Sequence, residues 1–222
     1  MKISTKLAFL VLLLCAMAAA LAACSSGGDE DKMKEHSEEA LKANLADYYE
    51  MEEGTYTAKV KKVNTADGTE NGVIWTVTSE DEEFSVYLHG TEDHEYRETE
   101  VLSDRYSDEF IDFINSEAER TMRETGMFVD LSLTINTTFV SYYFPSSYNI
   151  IPISVRPDDF LSFLRGGVSG SINMEIRCYS DMALSLEEDQ VEALKQNLPL
   201  NSLTITRYID EGYTTPAEKL SY

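Results

Sequence analysis

The side chain best placed for chemistry in this sequence is the thiol of Cys24. It closes the run Leu21-Ala22-Ala23-Cys24, behind an unbroken apolar stretch from Leu7 to Ala20. A thiol becomes a strong nucleophile when it ionises. The other reactive groups are less well supported. His89 and His94 stand five apart, with Glu92, Asp93 and Glu95 beside them. Imidazoles and carboxylates bind zinc, but this spacing matches no closed zinc motif, and no metal site is expected. The acidic run Glu80-Asp81-Glu82-Glu83 lacks the ligand pattern of a calcium loop. Gly167-Val168-Ser169-Gly170 approaches a nucleophile elbow, yet Ser171 stands where that turn needs glycine. The segment also falls between a predicted helix and a strand, the reverse of the order an elbow requires, so it reads as a turn. No phosphate-binding glycine loop and no Cys-x-x-Cys occurs. With 40 acids, close carboxylate pairs arise by chance and name no glycosidase site. No catalytic residue and no cofactor is therefore expected. A hydrolase remains an alternative that needs His89 or His94 to meet a second functional group in a pocket.

The aromatic residues point to recognition. Of 13 tyrosines, Tyr142, Tyr143 and Tyr148 gather with Phe144 in a segment broken by Pro145. Tyrosine offers a rigid apolar surface with a polar tip, which suits a peptide or a sugar. Strand alternation puts Tyr142 and Phe144 on one face and Tyr143 on the other, so the three cannot all be core. The competing reading has them capping an edge strand and packing inward. Trp75, with Val73 and Val77 on its face, reads as core.

Periodicity supplies the elements that would position these groups. Met33, Ala40, Leu41, Leu45 and Tyr48 recur at helical spacing up to a stop at Gly54. Tyr56, Ala58 and Val60, then Val73, Trp75 and Val77, then Phe84, Val86 and Leu88 alternate as three strands, with Asp67-Gly68 and Asn71-Gly72 in the first turn. A second helix carries Tyr106, Phe110, Phe113, Ile114, Ala118 and Met122 and ends at Gly126. Met127 to Ile135 alternates as a long strand, onto which Thr137 to Phe144 is read as pairing back. Pro157 suits the first turn of a short helix bearing Phe160, Leu161 and Leu164. Ile172, Met174, Ile176 and Cys178 line one strand face, so Cys178 reads as a small buried hydrophobe. Ser185 and Glu188 form a capping-box signature for a helix with Leu186, Val191, Leu194 and Leu198. Leu203, Ile205 and Ile209 mark a last strand. The expectation is an α+β protein, helices packed on antiparallel sheet, arranged as two helix-plus-sheet halves at 32–100 and 101–210. A polar tail follows at 211–222.

Composition bounds the partners. The 222 residues carry 18 basic and 40 acidic side chains, a net charge of −22. Such a charge repels nucleic acid and anionic headgroups and attracts cations diffusely. Lys2 and Lys6 before the apolar run, with small residues after it, give residues 1–23 the layout of a secretory signal, too short and wrongly flanked for a spanning helix. Without that segment only Cys24 and Cys178 remain. With Cys24 as anchor no intramolecular disulfide forms, and the fold must rest on packing.

Leu-Ala-Ala-Cys resembles the lipobox of bacterial lipoproteins, over residues 1 to about 28. The resemblance implies that Cys24 receives diacylglycerol, that a peptidase cuts before it, and that residues 24–31 are a flexible tether. Two or more acyl chains anchor a protein stably where one does not. The segment from Phe84 to Phe110, with Ser103-Asp104-Arg105-Tyr106 before a helix, is similar to surface lipoproteins of Gram-positive bacteria. It brings a location and an α+β expectation but no activity. Helix-on-curved-sheet units also resemble cystatin-like folds in outline, and fold analogy does not carry function. The expected protein is thus non-catalytic and extracytoplasmic, held to the membrane by its lipid. It acts on an unknown protein, peptide or glycan, with a protease-inhibitor-like role as an alternative. The anchor is directly testable. Cys24→Ala removes the only group that can accept the lipid, so a fatty-acid analogue should label the wild type alone; equal labelling of the variant overturns the reading.

Overall fold

The structure is a computed structural model that describes residues 30–64, 71–90, 100–127, 132–166, 170–180, 186–210 and 212–222. It is α+β: among the described residues four helices pack against two sheets, one of five antiparallel strands and one of four mixed strands. Among the described residues no helix is long and apolar enough to cross a membrane.

The described part of helix α1 covers 30–49. Met33, Ser37, Leu41 and Leu45, one turn apart, are its buried stripe. It stops before the expected Gly54, because Glu50 already takes a left-handed conformation (φ 55). Strands β1 (Thr57–Asn64), β2 (Gly72–Thr78) and β3 (Glu83–His89) form the expected meander under it. A bulge between Val60 and Lys62 in β1 restores Val63 to the face of Val60, opposite Val73. Gly72 is obligatory at φ 151, since a Cβ there would lie 2.0 Å from the Leu88 carbonyl oxygen.

This sheet does not end at residue 100. Strand β4 (Val101–Ser103) pairs with β3, and β6 (Ile151–Pro152) pairs with β4, so the five strands run β1-β2-β3-β4-β6. The sheet is therefore built from both halves of the sequence. Pro152 sits on its edge strand, where a missing N–H costs least.

The second sheet runs β5-β7-β8-β9. Strand β5 (Ser132–Ser141) is one continuous strand, so the segment from Thr137 extends it and does not pair back; its partner is β7 (Gly170–Tyr179). Strand β8 (Leu200–Tyr208) lies parallel to β7, a correction to the wholly antiparallel expectation. The cause is α4 (Glu188–Asn197), which forms the crossover that parallel neighbours require. Its capping box joins Glu187 and Gln190, and Ser185 of the expected pair lies outside the described residues. The expected polar tail is also corrected: Pro216–Ser221 forms β9, paired with β8. Helix α2 (Ser107–Glu124) and α3 (Phe160–Gly166), the latter after a 3-10 turn at Pro157–Asp159, complete the fold. Phe110, Ile114, Ala118 and Met122 of α2 pack with Val191 and Leu194 of α4 and with Ile172, Met174, Ile176, Leu203 and Ile205 of the sheet. Gln190 and Asn197 of α4 donate to the Thr125 carbonyl and the Thr121 hydroxyl, tying α4 to α2.

One junction joins the first sheet to α2. Asp104 accepts a hydrogen bond from the Ser85 backbone, and the guanidinium of Arg105 grips Glu82 with two nitrogens, at 2.5 and 3.0 Å. The same guanidinium lies 4.4 Å from the centroid of the Tyr49 ring and near the rings of Phe84 and Tyr106. Partial burial makes this pair worth more than an exposed one. Arg105→Ala should therefore cost about 2 kcal/mol in denaturant unfolding. Arg105→Lys should recover little, since an ammonium has neither the fork nor the flat face. A loss below about 0.5 kcal/mol for the alanine variant is the scale of an ordinary surface change and contradicts the assignment.

Candidate functional site

The tyrosine segment begins where β5 ends. The hydroxyl of Ser141 accepts the Tyr143 N–H, and the chain bends away from the strand. The expected alternation of Tyr142 and Phe144 on one face therefore does not hold. Phe144 is buried, in edge contact with Tyr87 at 5.4 Å and near His89. Tyr143 is half-buried, 4.9 Å from the His89 ring. Tyr142 and Tyr148 are left outside, 59% and 63% exposed. Of the three tyrosines, two face solvent and one belongs in part to the core.

The loop is fixed at both ends. Val140 bridges Tyr148, and Asn149, in a left-handed conformation (φ 61), bonds Phe139 twice through its backbone N–H and its side-chain oxygen. The Asn149 carbonyl accepts from Ser107 of α2, and Ile150 is buried. The two exposed rings are thus carried by a clamped loop, which lowers the entropy lost on binding. The loop also lies at a particular end of the molecule. His89 pairs with Gly72, at the start of β2, whereas Ser37 of α1 meets Trp75 and Tyr49 meets Phe84. Helix α1 therefore runs alongside β2 in the same direction, and its first turn lies toward the end that holds His89 and Tyr143.

A second feature escaped the sequence reading. Glu38, Leu41 and Lys42 of α1, Glu53 and Gly54 of the following loop, and Tyr56, Ala58 and Trp75 line a cleft of about 370 Å³. Its floor is apolar: Leu41 is fully buried and Trp75 is 5% exposed, its indole N–H donated to the Ser37 hydroxyl. Lys42 spans the rim, 3.0 Å from Glu38 and 3.2 Å from Glu53, and these carboxylates push its pKa up. Ala58, half-buried and opposite Val77, is the smallest side chain on the inward face of edge strand β1. Burial, reinforced by Glu53, pushes the Tyr56 phenol up as well. The one available signal was that alanine among larger apolar neighbours.

The remaining candidates are placed as follows. His89 packs on Tyr143 and Phe144. Cys24, His94 and Ser169 lie outside the described residues. Among the described residues no group of three or more metal-binding side chains is assembled. Comparison with known protein families, curated proteins and solved structures found no match.

Cys178 is fully buried, its sulfur 3.8 Å from the Thr206 carbonyl, and burial pushes its thiol above the ordinary 9.0. A thiol reagent should therefore react with the folded domain at least about a hundredfold more slowly than after denaturation. Burial drives Tyr49 in the same direction. Both groups hold their protons more tightly when folded, so their contribution to stability is complete below pH 9.0 and is lost as the pH rises past the unfolded values. Fast labelling of native protein, or stability that climbs between pH 8 and 10, contradicts this placement.

Proposed function

We propose that the protein is a non-catalytic, lipid-anchored extracytoplasmic binding protein that engages a peptide or glycan of the cell envelope through Tyr142 and Tyr148. The observation that carries the reading is the pairing of exposure with rigidity. Two large aromatic rings stand in solvent on a loop whose neighbours Phe144 and Ile150 are buried and whose ends are hydrogen-bonded to β5 and α2. Rigid aromatics exposed without a packing role are the usual anchors of recognition surfaces.

Location supports it. A thioether lipid at Cys24 has only five residues between it and residue 30, which already lies within α1. Five residues reach at most about 18 Å, so the first turn of α1 stays close to the bilayer. The tyrosine loop lies toward the same end, and its target would belong to the membrane-proximal layer of the envelope. The charge of the chain, −22, argues for an uncharged or cationic target.

Peptidoglycan presents both glycan and peptide and is the probe of choice. The domain from residue 30 onward should co-sediment with purified peptidoglycan. The double variant Tyr142→Ser/Tyr148→Ser should do so at least fivefold less, with a stability change within about 0.5 kcal/mol because both side chains are exposed. Equal sedimentation of the two proteins removes the loop from recognition. Unfolding of the double variant shows that the rings are structural.

A further inference from the structure

We infer that the cleft between α1 and β1 binds a small organic cation with an apolar body, of the size of an aryl-alkyl ammonium. Its volume of about 370 Å³ is in the range of small-ligand sites. The walls divide into two regions. The floor, Leu41, Ala58 and the ring of Trp75, offers apolar surface only, because the indole N–H is already given to Ser37. The rim carries Glu38, Glu53 and Lys42, two negative charges against one positive. A neutral polar ligand finds few convergent partners in such a site. An anion meets two carboxylates and a single ammonium that is already shared between them.

A cation meets the opposite conditions. It takes the place of the Lys42 ammonium between the two carboxylates, while the flexible lysine stem swings into solvent. Its apolar body rests on Leu41, Ala58 and the ring of Trp75. The mouth is open at Gly54, where nothing lies within 4 Å of the position a Cβ would occupy. The acidic surface of the chain raises the local concentration of any cation before it docks.

The site reports on itself, because Trp75 is the only tryptophan in the sequence. Titration of the purified domain with 2-phenylethylammonium should change Trp75 fluorescence saturably. The neutral 2-phenylethanol should bind at least tenfold more weakly, and phenylacetate should give no saturable signal. Tetramethylammonium chloride and sodium chloride control for diffuse screening and should not reproduce the change. Glu38→Gln/Glu53→Gln, both at exposed side chains, should abolish the preference for the cation. Ala58→Leu should fill the cleft and abolish the response; if that variant fails to fold, the glutamine pair decides. Tyr142→Ser/Tyr148→Ser should bind as the wild type does, which separates this site from the tyrosine loop. An equal response to amine, alcohol and acid, or an unchanged amine affinity in the glutamine pair, overturns the inference.

Discussion

The segment Ile150-Ile151-Pro152-Ile153-Ser154-Val155 is what the rest of the structure depends on. Its apolar side chains go in different directions. Ile150 packs with Tyr87, Leu102 and Phe144 on the outer face of the first sheet, while Ile153 lies with Val101 and α1 on the inner face. Ile151 and Val155 belong to the large core under the second sheet. Six consecutive residues therefore enter all three hydrophobic clusters, and the Ile153 N–H closes onto the Val101 carbonyl at 2.9 Å. Each full burial removes area worth about 1.5–3 kcal/mol. The two sheets are held as one body because one short piece of chain cannot leave one cluster without leaving the others.

The polar junction at Ser103-Asp104-Arg105-Tyr106 reinforces the same seam from the other side. Arg105 gathers the end of α1 through Tyr49, the β2–β3 hairpin through Glu82 and Phe84, and the start of α2 through Tyr106. Arg156 adds a bond to the Tyr48 carbonyl. The acidic hairpin, featureless in sequence, thereby gains a use: one of its carboxylates closes the grip on Arg105. This also changes what the Ser-Asp-x-Tyr stretch implies. Its side chains cap, pair and stack within the fold, so a likeness built on it concerns how the halves are joined and has no bearing on what the protein binds.

How legible each part was follows from how it is stabilised. The helices and the first three strands each bury one face, so periods of 3.6 and 2 appear directly in residues such as Leu41, Leu45, Val73 and Val77. Strand β6 has only Ile151 and Pro152, too short for any period, and its proline argues against a strand until its edge position is known. Strand β9 is polar because it is an outer strand: Leu220 is only half-buried, and its membership rests on backbone bonds to β8 that leave no mark in composition. The parallel pairing of β7 and β8 was implied by the helix between them, but only the packing of α4 against α2 decides that they are neighbours.

The two candidate sites were legible to different degrees for a related reason. Both occur where a regular pattern stops serving the core. At Tyr142 the strand has ended, so alternation no longer predicts which way a side chain points, and the composition of the segment was a better guide than its spacing. At Ala58 the alternation continues, but the residue is too small for its place; the strand keeps its register while the surface between α1 and β1 stays unfilled. A protein selected only for packing would put a valine or leucine there, gaining about 0.8 kcal/mol for each added methylene that found room. A cleft floored by the only tryptophan and rimmed by three charges leaves apolar surface uncovered that a larger side chain at residue 58 would cover, a departure from what stability alone favours. Departures of that kind are where a sequence shows function through what is missing, and only the assembled surface reveals which neighbours the gap brings together.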